Sequence, residues 1–325
     1  MIRGYRNYHI TKWLLVVILL ITTLILPACS CDMTTPTPTP TSVSMATLTP
    51  TSTSFDITLP TPTPTPAPTP TPTATPTPVT FPDTNLEDAI RFAIDKPEGF
   101  IYKSDVESLT DLDAMGKGIT DLTGLEYCLN MEMLDLDNNN ISDISPLAGL
   151  INLYGLGLMH NNISDISALA GLVNLKLLSS AGNNISDISP LAGLINLEML
   201  VLAGNNISDI SALAGLTNLR LLNLDVNNIN YITALVGLTD LLDLYLMHNN
   251  ISDISALAGL INLEVLDLDG NFINDISPLV ENSGLSDGDT VYLLGNPLTD
   301  VNTESYLQEL ELRGVDFGAA FSGTR

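Results

Sequence analysis

The chain has 325 residues, and its 37 acidic against 11 basic side chains give a formal net charge of −26 at pH 7. A charge of this sign argues against nucleic acid and anionic lipid as ligands, because both require a basic patch. Its three cysteines do not form a disulfide framework.

Residues 1–28 have the composition of a signal peptide. Basic side chains precede a largely apolar run from Trp13 to Leu26, which is shorter than the roughly 20 residues of a membrane-spanning helix. The end of this run, Leu-Pro-Ala-Cys, resembles the lipobox of bacterial lipoproteins, in which the cysteine is lipid-modified. We therefore predict that Cys29 carries a lipid anchor, that the membrane is contacted only through this anchor, and that the protein faces the extracytoplasmic or cell-surface side. Ordinary secretion and an uncleaved anchor are the alternatives.

Residues 29–79 are predicted to form a stalk without a core. Thr, Pro and Ser dominate this segment, and such a composition favours an extended polyproline II chain. An inert spacer and an O-glycosylated stalk are both compatible with it.

Residues 80–117 differ in composition and are predicted to cap the domain that follows. Thr84 with Glu87, and Ser104 with Glu107, have the spacing of capping boxes, each of which precedes apolar side chains. A repeat array needs such polar ends, because its terminal units would otherwise expose core and strand edge.

Residues 118–298 contain eight copies of a 22-residue unit, of which Asn184 to Asn205 (NISDISPLAGLINLEMLVLAGN) is the clearest. The spacing L-x-x-L-x-L-x-x-N-x-I, read from Leu197 to Ile207, is that of a leucine-rich repeat. The eighth unit, starting at Phe272, carries a short insertion. The predicted fold class is α/β, a right-handed horseshoe solenoid with a parallel sheet on its concave side and helical caps at both ends.

Within the unit, the L-x-L step has the period of a strand, predicted over Met199–Ala203. Leu200 and Leu202 then point into the core, and the residues between them lie on the open face. Ser189 is the predicted N-cap of a helical turn on the opposite side, with Pro190 at the first helical position.

A closing asparagine recurs in every unit. Turning out of the strand leaves backbone donors and acceptors without a ladder partner, and a buried amide satisfies both kinds. We predict a structural asparagine ladder, with a row of ligand-binding amides as the alternative, at Asn139, Asn161, Asn183, Asn205, Asn227, Asn249, Asn271 and Asn296.

An aspartate column recurs in the same way. Its members are expected about 5 Å apart, at a solvated edge or, as the alternative, on a weak cation-binding ridge. The column comprises Asp121, Asp143, Asp165, Asp187, Asp209, Asp253 and Asp275, with Tyr231 interrupting it.

Catalytic and metal-binding patterns are not found in the sequence. Cys128 occupies a core leucine position and is predicted to be a buried thiol. His160 and His248 lie four repeats apart, too far to share a metal. We therefore predict no enzyme activity, no metal and no cofactor.

Residues 299–325 are predicted to cap the other end. Thr303 to Arg313 has the pattern of a helix that Gly314 ends, and Val315 to Phe317 is expected to fold back over the last strand.

The open-face strand positions vary between units, whereas the turns barely do. Leu158 to Leu172 is identical to Leu246 to Leu260, four units later. The variable positions are apolar in the middle and acidic at both flanks, and exposed apolar patches rimmed by charge often mark partner surfaces. Unselected drift after duplication is the alternative. The candidate binding residues are Met159, Leu177, Met199, Val201, Leu221, Asn223, Asp225, Asp243, Tyr245, Met247, Val265, Asp267, Asp269 and Tyr292.

The repeats, the leading FPDTNLEDAIRFAI and the ITDLTGLEYC entry into the first full repeat resemble internalin-type leucine-rich-repeat proteins of bacteria. The closing GNPLTDVNTESYLQELELRGV resembles the C-terminal caps of related bacterial surface proteins. The resemblance covers residues 80–325 and implies surface-exposed protein recognition.

From these features we predict a non-catalytic, extracytoplasmic protein-recognition or adhesion module that is tethered by lipid. The acidic flanks favour a basic protein ligand, although the same charges also serve solubility. The alternative function is a structural surface component whose repeats mediate packing or self-association.

Overall fold

A nine-stranded parallel sheet, with its strands in sequence order, forms the body of the protein. The computed structural model describes residues 77–318. All strands are three residues long: β1 Asp111–Asp113, β2 Met133–Asp135, β3 Gly155–Gly157, β4 Leu177–Ser179, β5 Met199–Val201, β6 Leu221–Asn223, β7 Asp243–Tyr245, β8 Val265–Asp267 and β9 Thr290–Tyr292. The predicted leucine-rich-repeat solenoid is confirmed.

The repeat length sets the register of the sheet. Leu178 pairs with Leu200, and Leu200 pairs with Leu222, so each residue lies beside its equivalent 22 positions later. The central strand residues are fully buried leucines from Leu134 to Leu266. Between β8 and β9 the offset grows to 25 residues, which accommodates the predicted insertion. A single apolar core therefore runs through all the repeats.

The strands are shorter than predicted, because the closing asparagine ends them. In the unit of β5, the Asn205 amide donates to the carbonyl of Ser180 at 3.0 Å. This carbonyl would otherwise continue the ladder on the side of the preceding strand. Leu202, beyond the end of β5, still points into the core and is fully buried.

Short 3-10 helices lie on the side opposite the sheet. The prediction that Ser189 is the N-cap is wrong: Ser189 is the first helical residue, and its backbone N–H donates to the Asp187 carboxylate at 2.8 Å. The 3-10 helices are Leu125–Tyr127, Ser145–Leu147, Ser167–Leu169, Ser189–Leu191, Ser211–Gly215, Thr233–Leu235 and Ser255–Gly259, and the last repeat has an α-helix instead, Ser277–Glu281.

The N-terminal end carries two helices, α1 (Thr84–Ala93) and α2 (Lys103–Val106). The capping boxes predicted at Thr84 and Ser104 are wrong, because each helix begins earlier than its predicted cap allows. Asp83 caps α1 and also accepts the backbone N–H of Thr120 at 2.8 Å, which ties this helix to the first repeat. Strand β1, which precedes the first full repeat, was not predicted.

The helix Ser277–Glu281 of the last repeat is α3. The C-terminal end has the predicted helix, α4 (Thr303–Leu312). Gly314 follows with a φ of 94°, a left-handed conformation that suits glycine. Val291 donates its N–H to the carbonyl of Asp316 at 2.8 Å, so the chain does fold back over β9.

The Cys128 thiol is fully buried, as predicted, and burial raises its pKa to about 12. Within residues 77–318, the helices are too short or too polar to span a membrane.

Candidate functional site

Alternate strand residues form the open face of the sheet. The side chains of Leu177, Met199 and Leu221 lie next to one another in one column across β4, β5 and β6. A second column places Ser179 beside Val201. The structure thus brings the predicted candidate residues together on a single face.

The apolar side chains in the middle of this face are buried, although the period-two pattern predicts that they are exposed. Leu177 and Met199 are 5% exposed, and Val201 is 4% exposed. Neighbouring strands lie about 4.8 Å apart, so each side chain is covered from two sides by its column. Of the other candidates, Met159, Asn223, Asp225 and Asp267 are buried, while the half-buried ones are Leu221, Asp243, Tyr245, Met247, Val265, Asp269 and Tyr292.

The buried middle contains a group of small residues. In β3, Gly157 pairs with Ser179 of β4 and Gly155 pairs with Leu177, and Ala181 lies two residues after Ser179. A Cβ atom on Gly155 would lie 2.7 Å from the Met133 sulfur, so the thioether lies over this glycine. We call this part of the open face the central basin: a floor of Gly155, Gly157, Ser179 and Ala181, surrounded by Met133, Met159, Leu177, Met199 and Val201.

The Ser179 hydroxyl is an unusual feature of the basin. The residue is fully buried, and among residues 77–318 its oxygen has no hydrogen-bond partner. Buried polar atoms are nearly always hydrogen-bonded, so an orphan hydroxyl indicates a function or an unfilled interaction.

Carboxylates bridge neighbouring repeats at both flanks of the basin. Asp137 accepts the backbone N–H of Met159 at 2.6 Å, and Asp225 accepts that of Met247 at 2.7 Å. The same bridge recurs where Asp269 accepts the N–H of Leu294. These amides lie one repeat after the carboxylate, just beyond the strand. These bridges are not among the predicted features, and their signal in the sequence is an acidic residue that follows D-L or N-L at the strand exit.

Burial raises the pKa of several of these carboxyl groups. The pKa of both Asp137 and Asp225 rises to about 7, first through burial and then through neighbouring carboxylates. Burial also raises the pKa of Asp267 to about 6, and those of Asp243 and Asp269 above the ordinary value. The carboxyl groups of Asp137 and Asp225 are therefore only partly ionised near neutral pH.

The closing asparagines connect successive repeats through their amides. Asn205 accepts the backbone N–H of Ile185 at 2.9 Å and donates to the carbonyls of Ser180 and Leu202 at 3.0 Å. The same pattern recurs at Asn139, Asn161, Asn183, Asn227, Asn249, Asn271 and Asn296. These amides are bonded to the protein's own backbone, as the structural interpretation expects.

A second asparagine row, which is not among the predicted features, runs along the edge where the chain enters the strands. Each side chain donates to a carbonyl of the preceding repeat at 2.6 to 2.9 Å, and its signal is the repeated N-L or N-M step before the strand. Its members are Asn130, Asn152, Asn174, Asn196, Asn218 and Asn262. Asp240 takes the equivalent position between the last two and cannot donate.

A cavity of about 610 Å³ lies at this edge. It contains Lys176 and Arg220, the only basic residues between Gly118 and Leu298. Lys176 forms an ion pair with Glu198. The lining residues are Lys176, Asn196, Glu198, Asn218, Arg220, Asp240, Leu242 and Asn262.

The aspartate column has a local structural role. The backbone N–H of Ser189 lowers the pKa of Asp187, and the equivalent serines do the same for Asp165, Asp209 and Asp253. Over residues 77–318, His, Cys, Asp and Glu side chains form no group of three that could hold a metal ion. Cys29 lies outside the described residues.

Comparisons with known proteins agree with this fold. A family described as leucine-rich repeats (two copies) matches residues 177–215, 195–242 and 239–281. The crystal structure of an internalin C2 from Listeria monocytogenes is 40% identical, with 65% of this chain and 96% of that chain covered and a TM-score of 0.62. An internalin F from the same organism is 30% identical over 76% of this chain and 99% of that one, with a TM-score of 0.42.

A more distant structure shares the fold. The leucine-rich-repeat ectodomain of a membrane receptor kinase from Arabidopsis thaliana is 24% identical, covering 59% of this chain and 25% of that one, with a TM-score of 0.52. The comparison with curated proteins finds no match.

Proposed function

Because the chain belongs to the internalin family of leucine-rich-repeat proteins, we propose that it is a non-catalytic recognition or adhesion module whose open sheet face binds a protein ligand. The observation that carries this proposal is the distribution of variation and chemistry over the repeats. The convex turns and both asparagine rows repeat one pattern, whereas the open face changes from acidic to apolar and back to acidic along the sheet.

Export and lipid attachment belong to the same proposal. A lipid on Cys29, followed by the Pro/Thr-rich segment, would hold the repeats away from the membrane on the extracytoplasmic side. Changing Cys29→Ala, with Cys31 left in place, should abolish the incorporation of radiolabelled palmitate and release the protein from the membrane fraction. Persistent labelling of the variant would contradict the anchor.

The binding face is tested with substitutions that the fold tolerates. Val201 is unsuitable because a glutamate there would be a buried charge. Leu221 and Val265 are half-buried, and Leu221→Glu with Val265→Glu should abolish capture of the partner from cell-surface extracts. Binding anchors often contribute more than about 1 kcal/mol each, whereas surface changes usually alter stability by about 0.5 kcal/mol.

The matched control is Ala192→Glu, which adds the same charge on the convex side. It should leave capture unchanged. Circular dichroism and the melting temperature should stay near the unmodified values for both proteins. Capture that survives the concave changes and is lost in the convex variant would reject binding at the open face.

One observation favours self-association as the second candidate. The edge cavity is lined by charges of both signs, from Lys176, Glu198, Arg220 and Asp240, and a second copy offers the opposite charges to pair with them. Under this alternative, Arg220→Glu would convert an associated protein to a monomer in analytical ultracentrifugation. A monomeric unmodified protein would remove the alternative.

A further inference from the structure

Within residues 77–318, the central basin has backbone N–H groups without an acceptor. At the equivalent positions elsewhere on the open face, a side chain of the protein accepts the N–H group. At the position just beyond the strand, the N–H of Met159 and that of Met247 are each accepted by an aspartate of the preceding repeat. The N–H groups of Asp137 and Asp225 are instead accepted by the side chain two residues earlier in the chain. At the flanks, side chains of the protein itself therefore accept these backbone N–H groups.

In the central basin, neither of these two arrangements is present. The residues that would supply the acceptor for Ala181 are Met159, one repeat earlier, and Ser179, two residues earlier; for Ala203 they are Ala181 and Val201. No hydrogen bond from either N–H is found in the part of the chain that the structure describes. The carbonyls that would have continued the ladder are taken by Asn183 and Asn205.

The orphan hydroxyl points to the same place. Ser179 lies on the open face between Gly157 and Val201, and its buried oxygen has no partner among residues 77–318. Together with Ala181 and Ala203 it gives three donors within two adjacent repeats. The carbonyl oxygens of a peptide backbone are acceptors for such donors.

The acidic flanks restrict which side chains a bound peptide carries at its two ends. Asp137 follows β2 and Asp225 follows β6, so four strand intervals separate the acidic flanks, about 19 Å at 4.8 Å per interval. An extended peptide rises about 3.3 Å per residue, so two basic side chains six positions apart reach both flanks. The residues between them face methionine, leucine and valine side chains.

We propose that the central basin binds an extended peptide segment whose backbone carbonyls accept from Ala181, Ala203 and Ser179, with an apolar middle and basic residues six positions apart. This rests on the proposed function of the open face and names its ligand class. The acidic flanks, which are separated by four strand intervals, place the peptide across the strands.

Entry of the peptide requires side chains to move, because Ser179 and Val201 are 0% and 4% exposed. The thioether of Met133 lies over Gly155, and Met199 adjoins Leu177 in the same column. Methionine is unbranched and adapts to different partners, so these side chains act as a displaceable cover.

The test measures binding of the full-length protein to a capped synthetic heptapeptide, Lys-Val-Ala-Leu-Ala-Val-Lys, by isothermal titration calorimetry. Two control peptides have the same apolar residues, one with glutamate at both ends and one with both lysines together at one end. We expect the first peptide to bind at least tenfold more tightly than either control. Equal binding of the two lysine peptides would overturn the proposal, because charge alone would explain it.

The decisive variant is Ala181→Asp. Its carboxylate would accept the Ala203 N–H as the equally buried Asp137 accepts that of Met159, so, unlike a glutamate at Val201, it would have a hydrogen-bond partner. The Ala203 N–H would then no longer be available to a ligand. The affinity for the heptapeptide should fall at least tenfold. Ala192→Asp, on the convex side, makes the same chemical change and should have no effect.

A second variant guards against loss of the fold. Ser179→Ala removes only the orphan hydroxyl, so it should melt as the unmodified protein does while binding three- to tenfold more weakly. Unchanged affinity in both variants would overturn the proposal. If the heptapeptide fails to bind while Leu221→Glu with Val265→Glu still abolishes capture of a cellular partner, the peptide class is wrong and the proposed function stands.

Discussion

Val226 is a β-branched residue in a backbone conformation that disfavours it. It has a φ of 53°, and the equivalent residues of other repeats include Gly182, Gly204 and Gly270, each with a φ of 65°. A left-handed conformation crowds a β-branched side chain, at a cost of about 1–2 kcal/mol.

Replacing Val226→Gly should therefore stabilise the protein by about 1 kcal/mol, measured as the shift in urea midpoint at constant m-value. Val236→Gly is the matched control, because Val236 is also exposed but has a φ of −49°. This change should destabilise by about 0.5–1 kcal/mol. A loss of stability in both variants would mean that the strain at Val226 is negligible.

The two asparagine rows differ in burial, and this difference should appear in their energetics. Asn205→Ala leaves a buried N–H and two buried carbonyls without their partner, so it should destabilise by about 2–5 kcal/mol. Asn196→Ala removes one bond at an exposed site and should cost about 0.5–1.5 kcal/mol.

The control for both is Asn206→Ala, an exposed neighbour of the ladder residue. Its effect on the free energy of unfolding should stay within about 0.5 kcal/mol. Equal losses in the free energy of unfolding for the Asn196 and Asn205 variants would show that burial of the closing asparagines does not strengthen the contribution of their hydrogen bonds.

At the scale of the element, the aspartate column can be read as caps of the 3-10 helices or as a row of repelling charges. Asp187→Ala removes both the cap and the charge, whereas Asp187→Asn removes the charge but keeps an acceptor for the Ser189 N–H. If capping dominates, the alanine variant should melt at a lower temperature than both the asparagine variant and the unmodified protein. If repulsion dominates, both variants should melt higher, and the gain should shrink with added salt.

The elements were predictable to the extent that they follow from spacing. The 22-residue period places Leu178, Leu200 and Leu222 in one buried row, and the sequence alone predicts that register. Strand length was not predictable, because it depends on which donor takes the Ser180 carbonyl. Strand β1 was missed because only Leu112 marks it, outside the full repeats.

The sequence predicts which side of the sheet the candidate residues lie on, but it does not predict how far their side chains are buried. A period of two assigns Val201 to the open side, yet it does not reveal how far neighbouring columns cover it. The bridge from Asp137 to Met159 depends on two residues 22 positions apart and on an asparagine that diverts the ladder. These are tertiary facts, so the orphan donors at Ala181 and Ala203 emerge only when the repeats are stacked.

At the scale of the whole molecule, two sets of carboxyl groups give stability opposite dependences on pH. Asp225 and Asp267 have raised pKa values, so their contribution is present below the unfolded pKa and is lost as pH rises through about 6 to 7. Asp187 and Asp253 have lowered pKa values, so their contribution is lost as pH falls below about 4. We expect the melting temperature to be highest near pH 5.

Asp225→Asn should flatten the alkaline side of this profile. It keeps an acceptor for the Met247 N–H and removes a buried charge beside Asp267, so it should stabilise by about 1–3 kcal/mol at pH 8 and much less at pH 5. The measurement is thermal unfolding from pH 3 to 9. A profile that rises steadily to pH 8 would show that the buried carboxyl groups titrate normally.

The row of closing asparagines, from Asn139 to Asn296, also allows whole repeats to be removed or added. Excising Asn184 to Asn205 would leave Asn227 facing the Ser180 carbonyl in place of that of Leu202, which is the same bond in the same frame. Gene segments that slip by one unit would thus lengthen or shorten the protein without disturbing any hydrogen bond of the row. Each unit gained or lost between Asp137 and Asp225 would move these acidic flanks apart or together by one strand spacing. The number of units would then act as a molecular ruler for the length of ligand that spans them.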